Sequence, residues 1–154
     1  MIIQQTLLIL CSVLLFSCQQ INKETTGTET KTISTEDSLY HSVIGLHDEA
    51  MAKIGKMKGY QKSLELKIDS LEKQLVLQKN ETTITLKKKY ESLLTSLQQA
   101  EKGMNDWMDS FNPEPKLPSK TDLEKYWADQ QQKTKKMRDA IFDALDSANK
   151  IIPK

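Results

Sequence analysis

The chain of 154 residues is poor in the residue types that build most catalytic and metal sites. It holds two cysteines, Cys11 and Cys18, and two histidines, His41 and His47. It contains no paired-cysteine zinc spacing, no His-Glu-x-x-His helix and no Gly-rich phosphate loop. A Ser-His-Asp or Cys-His arrangement needs a nucleophile, a base and a rigid cleft. With so few bases and no Gly-rich strand-to-helix turn, no catalytic activity is expected. Charge of one sign is also lacking. The 22 basic and 21 acidic residues give a formal net charge of +1, without the clustered cations of a nucleic-acid footprint. The longest basic run, Lys87-Lys88-Lys89, reads as a solvated helix face, and no nucleic-acid partner is expected. No stretch alternates with the period of two that a half-buried strand requires.

One apolar run is present, from Leu7 to Phe16, and it ends in Leu15-Phe16-Ser17-Cys18 before a mostly polar chain. It is shorter than the ~20 apolar residues of a spanning helix. A small residue before a cut ends a secretory signal, and Ser17 supplies it. With Leu15 three positions ahead of Cys18, the run resembles the lipobox of bacterial lipoproteins. The resemblance implies that residues 1–17 are a lipoprotein signal peptide, that Cys18 carries the lipid, and that the anchored protein begins there. An ordinary secretory signal and an uncut anchor are the alternatives. Two features depart from the pattern: no Lys or Arg precedes the apolar core, and Phe16 is bulky for its place. Cys11 is a poor rival, because Leu10 before it is not small. Removal of the signal would discard Cys11 and leave Cys18 to the lipid, with no disulfide or free thiol remaining. Gln19 after the cysteine is unlike the inner-membrane retention signal of enterobacterial lipoproteins. Gln19-Gln20-Ile21-Asn22-Lys23-Glu24 has one acid, unlike the acidic run of surface-exported lipoproteins. The expected location is the bacterial envelope, on the outer membrane facing the periplasm.

Residues 18–35 are rich in Thr, Glu, Lys and Gln and nearly free of apolar residues. Such a segment cannot bury enough surface to offset its ordering entropy. It reads as a flexible tether with a mean reach of roughly 20–25 Å.

Residues 36–154 change pattern. Ser34 and Thr35 can cap a helix, and Glu36 and Asp37 suit its positive end. Leu39, Val43, Leu46 and Ala50 recur at alternating gaps of four and three, and Met57, Leu64, Ile68, Leu71 and Leu75 continue nearly in phase. A second stripe runs from Leu86 through Tyr90, Leu93, Leu97, Ala100, Met104 and Trp107 to Phe111. A third runs from Leu123 through Trp127, Gln130, Thr134, Met137, Ile141, Ala144 and Ala148 to Ile151. A period of about 3.5 marks amphipathic or coiled-coil helices. The segment Lys79-Asn80-Glu81-Thr82-Thr83 lacks apolar residues, and Pro113, Pro115 and Pro118 break the second gap. Thr121 with Glu124 reads as a capping box, and Pro153 as a stop. Helices are therefore expected at about 36–79, 82–111 and 121–151. Each stripe must face another, and short connections favour an all-α, antiparallel three-helix bundle or coiled coil. A continuous rod through Asn80 is the rival, since a four-residue stutter would keep the stripe in phase. Gly55 and Gly59 are candidate kinks in the first helix.

In the hairpin arrangement Met51 lies opposite about Asp109. The first helix, being longest, is then expected to project at its start. Leu39, Val43, Ile44 and Leu46 would form a partner or self-association surface there unless Phe111 to Leu117 cover it. The same register gathers His47, Met51, Met57, Met104 and Met108 at one end, beside Trp107 and Trp127. Imidazole and thioether ligands suit Cu(I), and a His-Met pair can hold haem. The alternative is that methionines fill irregular core space against aromatic rings.

His47-Asp48-Glu49-Ala50-Met51-Ala52-Lys53-Ile54-Gly55-Lys56-Met57 resembles a motif of small bacterial lipoproteins labelled "viral A-type inclusion protein". So does the later Ala100-Glu101-Lys102-Gly103-Met104-Asn105-Asp106-Trp107-Met108-Asp109-Ser110-Phe111, although Gly103 stands where that family often has a bulkier residue. The resemblance covers most of residues 40–150. It implies a lipid-anchored coiled-coil protein with no assigned activity, and therefore no catalytic residue to carry over.

Overall fold

The computed structural model describes residues 34–152. The expected signal peptide (1–17), the lipidation site Cys18, nearly all of the tether and Pro153 lie outside the described residues. Three α-helices make up the rest: α1 (Thr35–Leu77), α2 (Glu81–Ser110) and α3 (Lys120–Ile151). No strand occurs among the described residues.

Side chains cap every helix start. The Ser34 hydroxyl accepts from the Asp37 N–H at 3.1 Å, and Asn80 Oδ1 accepts from the N–H groups of Thr82 and Thr83. These bonds satisfy donors that the helix cannot. The third cap falls two residues earlier than the sequence reading placed it. Ser119, not Thr121, accepts from the Asp122 N–H and donates its hydroxyl to the Asp122 carboxylate. The Ser-x-x-Asp spacing competes with Thr-x-x-Glu there. Asn80 is the residue that makes the turn, so the polar gap is a helix start and the hairpin is formed. The cross-pairs Gln61–Glu101 and Glu72–Lys87 run in opposite senses along α1 and α2, which excludes the continuous rod. α1 nevertheless passes through Gly55 and Gly59 without a break.

α3 runs parallel to α1. Ser42 meets Gln131, Glu49 meets Arg138, and Tyr60 meets Asn149, both numbers rising together. α3 is antiparallel to α2, with Trp107 on Gln130 and Phe111 near Trp127. The result is an up-down-up three-helix bundle. Its core runs along the whole shared length and includes the fully buried Val43, Met57, Leu64, Leu97, Met104 and Ile141. Arg138 lies over the Phe142 ring. Its Nε approaches Asp139 Oδ1 at 3.1 Å without hydrogen-bond alignment, so it remains without a hydrogen-bond partner.

The parallel run of α3 corrects one expectation. The start of α1 does not project. Tyr40 packs edge-on against Trp127 at 5.1 Å, Glu36 faces Lys120, and Val43 has no exposed surface. Leu39 packs on the core, while Ile44 and Leu46 are half-buried. Of the surface expected at Leu39, Val43, Ile44 and Leu46, the first two residues are taken into the core. From the sequence, only the proline-rich connection could cover that end.

The opposite end is the one that projects. α3 ends at Ile151, close to where Asn149 meets Lys56 and Tyr60. Beyond that level α1 and α2 continue as a two-helix hairpin for roughly 20 Å at the helical rise. This tip exposes Leu66 (64%), Val76 (86%) and Leu77 (88%). Lys87 ties its arms together, 2.7 Å from Glu91 on its own helix and 3.1 Å from Glu72 on α1. The hydrogen bond to Glu91, then that to Glu72, raises the Lys87 pKa above its ordinary value of 10.5. A raised folded value means that the tie is complete at neutral pH and is lost only as alkali removes the ammonium proton.

An added Cβ at Gly55 or Gly59 meets nothing within 4 Å. The pair Gly55→Ala and Gly59→Ala should therefore stabilise the bundle by about 1 kcal/mol each through lower unfolded-state freedom. Calorimetry of the full chain should show a rise in Tm of a few degrees. A fall in Tm would mean that these glycines serve a close contact.

Candidate functional site

The features that sequence reasoning placed at one end of the bundle lie on all three helices. α1 carries His47, Met51 and Met57, α2 carries Met104, Trp107 and Met108, and α3 carries Trp127. Of the five expected ligands, the structure brings His47 and Met108 into contact. His47 Nε2 lies 3.3 Å from Met108 Sδ. The other ring nitrogen, Nδ1, lies 2.9 Å from Asp48 Oδ1. The His47 ring is 5.7 Å from the Trp107 ring.

Met57 and Met104 belong to the core instead, both with no exposed surface. There they act as flexible apolar fillers. Met51 is 37% exposed. The single cluster of five is thus divided. Helical geometry gives the reason, because residues four apart are rotated by about 40°. Met104 faces the three-helix core, while Met108 turns toward the α1 edge. A haem iron held between His47 and Met108 as opposed axial ligands would need a wider gap than 3.3 Å. His41 is exposed beside Tyr40. Among the described residues no group of three or more His, Cys, Asp or Glu side chains could hold a metal ion.

Aromatic rings wall the same end. Trp107 and Phe111 lie 4.6 Å apart, and Trp127 meets Tyr40, Phe111 and Tyr126. Such pairs add ~0.5–1.5 kcal/mol each beyond their buried area. Tyr126 donates its hydroxyl to the Asn112 carbonyl and accepts from the Asn112 N–H, which fastens the start of the proline-rich connection. Trp107 donates its indole N–H to Gln130 Oε1 at 2.9 Å in the interior. Thr134 donates its hydroxyl to the Gln130 carbonyl. Two residues have roles that sequence reasoning missed. Asp48 orients His47, and adjacency was the only signal for it. Gln130 serves as acceptor for Trp107, and its polar character inside an apolar stripe was the available signal.

Comparison of the chain with protein-family models, with curated proteins and with solved structures returns no match. The class that the fold defines is a helical bundle with a long projecting hairpin.

Gln130→Leu would strand the buried Trp107 N–H, a loss of ~1–3 kcal/mol. Denaturant unfolding of the full chain should show a lower midpoint with an unchanged slope. Unchanged stability would mean that the indole finds water or another acceptor.

Proposed function

We propose that the chain is a lipid-anchored protein of the bacterial envelope with a structural or protein-interaction role and no catalytic activity. The observation that carries this reading is the run Leu15-Phe16-Ser17-Cys18 at the end of an apolar segment, followed at once by polar sequence. Acyl chains on Cys18 would each add ~0.8 kcal/mol per buried methylene, and more than one chain makes the attachment firm. No helix of the described residues is long and apolar enough to cross a membrane, and a lipid anchor requires none. The resemblance to small lipoproteins labelled "viral A-type inclusion protein" points the same way. The outer membrane, facing the periplasm, is the proposed location.

The shape of the bundle supports an interaction role. The tether of residues 18–35 joins α1 at one end of a helix of 43 residues, which is about 64 Å long. The exposed aliphatic residues Leu66, Val76 and Leu77 lie toward the other end. An envelope protein or a second copy of the chain could meet these residues.

Two measurements test the reading. Mass spectrometry of the native product should find a mature N-terminus at Cys18 carrying acyl chains. Cys18→Ser should abolish acylation and leave an unprocessed chain that still carries residues 1–17. A different N-terminus, an unmodified Cys18, or cleavage of the variant before position 18 would contradict it.

A further inference from the structure

Imidazole and thioether groups that face each other are a donor pair, and the His47–Met108 contact has that form. Asp48 Oδ1 accepts from the Nδ1–H of the His47 ring. In the tautomer that this bond selects, Nε2 carries a lone pair. The atom it faces, Met108 Sδ at 3.3 Å, has no proton to give. Two acceptors so placed gain nothing from each other, and a cation between them satisfies both. With metal–nitrogen and metal–sulfur bonds of ~2.0 and ~2.3 Å, a tetrahedral angle separates the two ligands by ~3.5 Å. The observed spacing is within a few tenths of an ångström of that.

We propose that His47 and Met108, with Met51 as third ligand, form a binding site for Cu(I). The donor set selects the ion, since thioether sulfur prefers soft cations and imidazole accepts them, whereas Ca²⁺ and Mg²⁺ want oxygen. The carboxylate of Asp48 on the far ring nitrogen is the outer contact that fixes a ligating histidine's tautomer and orientation. Met51 stands one turn beyond His47 on α1, where residues four apart are neighbours. It is 37% exposed. The site is reachable, because 24% of the His47 side chain is exposed. Met57 and Met104 have no exposed surface and take no part. The Trp107 ring, 5.7 Å from that of His47, is placed to sense an ion bound there. This inference does not depend on the lipid anchor and fails or stands separately from it.

The test is a titration of the full chain carrying Cys11→Ser and Cys18→Ser, so that no thiol competes for the ion, purified in detergent, with Cu(I) under anaerobic reducing conditions against a chromogenic Cu(I) chelator. Tryptophan emission is followed in a Trp127→Phe background. The expected result is one equivalent bound with quenching of Trp107. Met108→Leu, close in volume and compatible with the fold, and His47→Ala should each weaken binding at least tenfold. Met51→Leu should weaken it less, and Met57→Leu should leave it unchanged. As a second readout, Ag(I) should shift the Met108 methyl and His47 ring proton resonances. The proposal is overturned if the thiol-free chain does not bind in a one-to-one ratio. It is also overturned if Met108→Leu binds as tightly as that chain, or if Ag(I) moves other methionine methyls and not that of Met108. The contact would then be an imidazolium donating to sulfur, or packing alone.

Discussion

α3 covers a face that α1 and α2 leave open between them, and the remaining order of the bundle follows from that contact. A helix with one apolar stripe is stabilised mainly by burying it, and a two-helix hairpin buries only part of each stripe. Where α3 is present, Val43, Met57, Leu97, Met104 and Ile141 lose all contact with water. Where it has ended, the stripe residues Leu71 and Leu75 are only half-buried and Leu86 is 37% exposed. The same two helices thus show both outcomes along one axis, with the extent of α3 deciding between them.

That geometry was partly legible in the chain. The 3.5-residue stripes located all three helices to within two residues at each end, because long amphipathic segments carry a strong periodic signal. The lack of apolar residues from Lys79 to Thr83 points to a break there, but the residue that settles the turn is Asn80, whose side-chain oxygen accepts from two backbone N–H groups. The end that projects was misplaced. Register between α1 and α2 can be counted from their connecting turn. The position of α3 along α1 depends on how eight residues from Asn112 to Ser119 bend, and no periodicity encodes that. Gly55 and Gly59 are tolerated because tertiary burial on both sides outweighs a local cost of ~1 kcal/mol each.

The candidate site illustrates a different limit. Spacing along each helix placed His47 and Met51, and Met104 and Met108, on neighbouring turns. It did not say which thioether would enter the core and which would turn outward, since a rotation of about 40° separates the two outcomes. Met104 and Met57 became interior packing, and Met108 became the partner of His47. Asp48 and Gln130 acquired their roles only once side-chain directions were fixed. The lipobox-like segment is of another kind again, because the reading proposed for it concerns processing rather than packing.

Hydrogen exchange of the full chain, read residue by residue, tests the organising role of α3 most directly. Local opening follows the density of buried apolar contacts. Amides of α1 from Val43 to Leu64, of α2 from Leu93 to Trp107, and of α3 from Trp127 to Ala148 should exchange together and last. Those from Leu66 to Leu86, beyond the reach of α3, should exchange much sooner. Equal protection of the hairpin tip and the three-helix region, or loss of α3 protection while α1 and α2 stay closed, would contradict the account.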